Sequence, residues 1–124
     1  MTTKSEGKHT GEFIVSEAPG TGSRDTGTLT VPANTTLEAG TVVGQVGSSS
    51  KYVQFDDTLS DGGQTAAGVL YDTTINDTDA AVDVEGAVIV NLNAEVRAAD
   101  LVWGAGADSA AGLVDLRALG IKAR

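Results

Sequence analysis

Cysteine is absent from this 124-residue chain, which excludes disulfides, thiolate nucleophiles and cysteine-based zinc sites. Histidine occurs once, as His9 in a polar N-terminal stretch, so a Ser-His-Asp triad or a general base in fixed geometry has no support. Basic residues are few: eight Lys and Arg stand against seventeen Asp and Glu, for a formal net charge of −9. A phosphate backbone needs clustered Lys and Arg, so no nucleic-acid partner is expected. No apolar run approaches the roughly 20 residues of a membrane span, and the N-terminus lacks the apolar stretch of a signal peptide. Neither membrane association nor Sec-type export is expected. Aromatic residues reach only 4%, so the side chains that bury most area are scarce. Leu, Ile, Val and Phe together make up about 23% of the chain, enough for one small domain with a thin core. Association with identical chains would help such a core.

What is present is acidic and unevenly placed. Residues 1–24 balance their charges, whereas residues 25–96 carry eleven acids against Lys51 alone. No stretch meets the EF-hand pattern: counted from Asp56, Thr58 and Ser60 take the third and fifth positions, and Asp61 stands where the turn glycine belongs. A solvated acidic surface is the reading these residues support, and no metal or cofactor is expected. Gly20-Thr21-Gly22-Ser23-Arg24 lacks the Gly-Lys-Ser/Thr of a phosphate loop. Asn34-Thr35-Thr36 and Asn76-Asp77-Thr78 match the glycosylation sequon but are discounted without a signal peptide. Paired acids such as Asp56 with Asp57 lack the aromatic-lined cleft of a glycosidase. The chain reads as non-catalytic.

Hydrophobic patterning is mainly of the β type. Thr28-Leu29-Thr30-Val31 alternates and meets Pro32, and residues 41–55 read as a hairpin around Gly47-Ser48-Ser49-Ser50. Residues 67–71 and 83–90 follow as strands, the latter either bent or divided at Gly86. The C-terminal third changes character. Asn93 is placed to cap a helix over 94–102, and Asp108 or Ser109 a second one carrying Leu113, Leu116 and Leu119 and ending at Gly120. Residues 121–124 form a short tail able to return to the sheet. Near the N-terminus, Glu12-Phe13-Ile14-Val15 is a lone apolar burst between polar, breaker-rich stretches. It must pair with something distant, either its own domain or a partner's sheet edge. Trp103, the one tryptophan, is expected with Leu101 in the core or at a subunit contact.

Several segments in collinear order carry a resemblance. They are Gly11-Glu12-Phe13-Ile14-Val15-Ser16-Glu17-Ala18, Leu37-Glu38-Ala39-Gly40-Thr41-Val42-Val43-Gly44, and Gln64-Thr65-Ala66-Ala67-Gly68-Val69-Leu70-Tyr71. Ala94-Glu95-Val96, Leu101-Val102-Trp103 and Ala118-Leu119-Gly120-Ile121 continue the series. Together they resemble phage head decoration proteins of the lambda-like decoration protein D family, over nearly the whole chain from Gly11. The resemblance implies a mainly β, β-clip-like domain at 25–124 with one or two short C-terminal helices, preceded by a flexible arm at 1–24. It further implies a homotrimer on the outer surface of the expanded capsid, made in the host cytoplasm, that stabilises the shell against packaged DNA. Its partner would be the major capsid protein, with Glu12, Phe13, Ile14, Val15 and Ser16 adding a strand to that protein's sheet. The competing expectation is a secreted or surface-displayed β binding module using Tyr52, Phe55 and Tyr71 as a contact patch.

Overall fold

A computed structural model describes residues 13–17, 24–56, 59–92, 94–104 and 107–124. The strands are β1 (Ile14–Glu17), β2 (Arg24–Val31), β3 (Thr35–Leu37), β4 (Val42–Gln45), β5 (Tyr52–Gln54), β6 (Ala66–Leu70), β7 (Thr74–Asn76), β8 (Val82–Val90), β9 (Ala94–Val96) and β10 (Ile121–Ala123). A single-turn 3₁₀ helix (Ala98–Asp100) and one α-helix, α1 (Ser109–Ala118), complete the described elements. Strands β2, β5, β4, β6 and β8 close into a barrel in that order. Strands β1, β9 and β10 make a separate three-stranded sheet, which α1 joins to form a lobe, and β3 pairs with β7.

The valine-rich segments are strands buried on both faces, so successive apolar residues serve two cores. Val42, Val69 and Val90 face a core shared with the lobe's Phe13, Ala94, Val96, Leu101, Leu116 and Ile121. Their neighbours Val43, Leu70 and Ile89 face the opposite way, into the barrel interior with Leu29, Val31, Leu37 and Tyr52. Two-sided burial explains why these strands read as near-continuous apolar runs. The 41–55 hairpin forms as expected, with Val43 opposite Gln54 and Gln45 opposite Tyr52. Strand β8 is continuous, bending at Gly86, whose φ of 75° is left-handed.

The C-terminal third corrects one expectation. Residues 94–102 are not a helix: β9 gives way to the 3₁₀ turn, and Asn93, expected as its cap, lies outside the described residues. Ala94 and Val96 are both buried with Glu95 between them, a period of two, and β1 and β10 satisfy the backbone on either side. The second helix stands as expected. Asp108 accepts from the amides of Ala110 and Ala111, Leu116 is fully buried, and the chain leaves the helix through Gly120 at φ 82°.

Asn76 organises the turn between β7 and β8. Its side-chain amide donates to the carbonyls of Val31, Pro32 and Ala80, while its Oδ1 accepts from the amide and hydroxyl of Thr78. This Asn is 5% exposed, so its sequon is built into the fold rather than offered as an acceptor.

Burial pushes the Tyr52 hydroxyl above its ordinary 10.0, with the Asp25 charge adding and a hydrogen bond with the Asn91 side chain opposing. The folded protein therefore holds the phenolic proton more tightly than the unfolded chain. That contribution is complete below the unfolded value and is lost as pH rises through the higher folded one. Tyr52→Phe is expected to flatten the alkaline fall in Tm, read from melts at roughly pH 8 to 11; an unchanged alkaline slope would place the dependence elsewhere.

Candidate functional site

Several acids are engaged in holding the fold together. Asp115 accepts the amide of Ala66 at 3.0 Å and ties α1 to β6. Asp61 accepts the amide of Gly63 at 3.1 Å, and Asp79 accepts from the Asn34 side chain at 3.3 Å. Asp83 accepts from Lys51 Nζ at 2.6 Å and from the Thr30 hydroxyl at 2.7 Å, and the first of these chiefly holds its carboxyl below the usual range. Among the described residues no group of three or more His, Cys, Asp or Glu is placed to hold a metal ion. His9 lies outside the described residues.

The aromatic patch expected of a binding module is not on the surface. Tyr52 and Phe55 are 5% and 1% exposed, and the Tyr71 ring is covered by the Arg24 guanidinium, 4.1 Å from its centroid. With few aromatics to spare, the fold uses them for packing. Leu101 is buried in the core shared by barrel and lobe, and Trp103 packs against that core. Trp103 meets Phe55 edge to face, with ring centroids 5.9 Å apart, and its indole lies so close to Gly112 that a Cβ there would stand 2.4 Å from a ring carbon.

The open feature is the outer edge of β1. Phe13 is fully buried, and its carbonyl accepts the amide of Arg97 at 2.7 Å. Ile14 then stands opposite Val96, and by the alternation of an antiparallel ladder its own N–H and C=O turn away from β9. The register shifts between Ile14 and Ser16, which places Ser16 opposite Glu95 and leaves Val15 as the bulged residue. Val15 is 49% exposed. Among the described strands β9 is the one neighbour of β1, so within that set β1 is an edge strand.

Of the expected contact residues, Glu12 lies outside the described residues, Phe13 belongs to the core, and Ile14, Val15 and Ser16 lie along this edge strand. The apolar burst thus packs on its own subunit through Phe13 and β9, the first of the two alternatives its isolation allowed. Arg24, placed at the end of the expected arm, is the first residue of β2. The pairing of β1 with β9 is non-local, and its sequence signal is the apolar-polar-apolar alternation of Ala94, Glu95 and Val96, obscured by the alanine-rich residues around it.

Against known families, residues 3–121 match the model of the bacteriophage lambda head decoration protein D family. No curated protein matches the chain.

Proposed function

The chain belongs to the bacteriophage lambda head decoration protein D family, and from that premise we propose that it is a homotrimeric, β-clip-type cement protein of the capsid exterior, attached through the segment from Glu12 to Ser16. In this reading a strand of the major capsid protein pairs with the outer edge of β1, at three-fold and quasi-three-fold positions of the expanded shell. The family match carries the decorating role, and the open β1 edge supports the point of attachment.

Energetics favour such an edge. Ordering a free segment costs roughly 1–2 kcal/mol per residue in backbone entropy. Strand β1 is already held by β9 and by Phe13, so capsid docking there is spared most of that cost. Residues before Phe13 would lengthen the docked strand, and a single attachment stays weak. Three attachments in one trimer act at millimolar-scale effective concentration, raising overall binding by about 10² to 10⁴ over one site. An unexpanded shell need only misplace the three docking strands to remove that gain. The excess of acids in residues 25–96 keeps the remaining surface solvated.

Two variants test this. Removing residues 1–12 keeps Phe13 and β1, so trimer mass and Tm are expected to hold while decoration of expanded heads falls at least tenfold. Val15→Asp sets a charge at a half-exposed position and is expected to leave the subunit folded and to weaken decoration similarly. Electron microscopy of expanded and unexpanded heads incubated with each variant is the measurement, and wild-type decoration by both would refute the attachment site.

A further inference from the structure

The barrel is closed by very unequal joints. Strands β2 and β8 are registered along most of their lengths, from Arg24 opposite Val90 to Val31 opposite Val82. Strands β2 and β5 meet at a single parallel pair, Leu29 with Tyr52. Parallel pairing is the less stable per residue, and one pair supplies little ladder. Lys51, the only base between residues 25 and 96, sits beside this joint. Its Nζ lies 2.6 Å from Asp83 Oδ2. The other carboxylate oxygen, Oδ1, accepts from the hydroxyl of Thr30, and Thr30 is registered directly opposite Asp83. The bridge therefore starts at the residue before Tyr52, crosses the residue after Leu29 and ends on β8. It spans the weak joint from outside.

We propose that Lys51, Asp83 and Thr30 form an electrostatic latch that keeps the barrel shut, and that the β2–β5 seam is where the barrel opens first. The latch is pre-set on the β5 side. The Lys51 carbonyl accepts the amide of Val46 at 2.8 Å, Ser50 donates its amide to the Val46 carbonyl at 2.8 Å, and the Gln45 side chain donates to the Ser50 carbonyl at 3.1 Å. This tight hairpin tip fixes the backbone from which the Lys51 side chain reaches, so less freedom is lost in forming the bridge. Both side chains of the bridge are 42% exposed, which makes the latch weak and sensitive to salt. Weak closure at one defined place lets a small barrel yield locally instead of unfolding as a whole.

Amide hydrogen exchange on the full chain at one fixed pH tests the latch without capsids, so its outcome is separate from that of the attachment reading. In Lys51→Met and in Asp83→Asn, exchange in residues 28–31 and 50–55 is expected to quicken about three- to fivefold, while the β6–β8 ladder at Val69, Leu70 and Val90 keeps its rate. Raising salt to roughly 0.5 M is expected to move the wild type part of the same way. The double variant Lys51→Asp with Asp83→Lys restores the charge pair and is expected to recover most of the protection. Unchanged exchange at the seam, uniform acceleration across the barrel, or no recovery in the charge-swapped protein would each overturn the proposal.

Discussion

Phe13→Ala is expected to lower folding stability by about 3–5 kcal/mol, the range for truncating a fully buried aromatic side chain. Phe13 has no exposed surface and fills the core between barrel and lobe, among Val42, Phe55, Val96, Leu101 and Ile121. The loss falls on a domain whose whole stability is typically 5–15 kcal/mol, so the variant sits near the edge of folding. It also removes the peg that holds β1 against β9. Urea titration of wild type and variant gives the difference, and an urea midpoint that scarcely moves would show that this residue does not anchor the strand. Val15→Ala, one turn of the pleat away on the exposed edge, is expected to change stability by less than about 0.5 kcal/mol. The contrast between these two apolar residues separates the anchoring residue from the exposed one.

Gly40→Ala is expected to cost about 2–4 kcal/mol although it adds one methyl group. Two penalties coincide. Gly40 has a φ of 98°, where an L side chain is strained. A Cβ there would also lie 2.5 Å from the carbonyl oxygen of Asp100, a backbone atom that cannot swing aside. The consequence reaches further because Gly40 stands at the joint between barrel and lobe. Its carbonyl accepts the amide of Val102, the carbonyl of Val102 accepts the amide of Val42, and Thr41 bridges Val102 in parallel. Loss of that joint should expose Trp103, which packs on the core beside it. A red shift of tryptophan emission at denaturant concentrations where far-ultraviolet circular dichroism is still native is the expected signature. A single coincident transition with wild-type midpoint would exclude it.

Local chemistry made some of this architecture legible in the sequence. The alternation around Leu29 and Val31, the small polar tip at residues 47–50, and the Asp108 cap with leucines at i, i+3 spacing each state their element directly. Strand β9 was hidden because Ala94 and the alanines that follow favour helix, and only tertiary partners on both sides override that preference. Barrel closure was hidden too, since a single parallel pair between Leu29 and Tyr52 leaves no period to read. At β1, the isolation of Phe13 to Val15 announced a distant partner without saying which. The structure supplies Val96 and Glu95 for one side of the strand. The role of Lys51 was visible only as an oddity of charge, because Asp83 lies about 30 residues away in the chain.

The place of β9 between β1 and β10 also sets the order of events at the ribosome. Ile14 faces Val96 and Ile121 faces Ala94, so the first of the described strands must wait for more than 80 residues before its template is synthesised. The barrel strands, all encoded between these partners, can collapse meanwhile. Closing so long a loop places the protein among slow, high-contact-order folders, with times of milliseconds to seconds. Until β9 and the segments after it are made, Phe13 lacks the Val96, Leu101 and Ile121 side of the core that buries it.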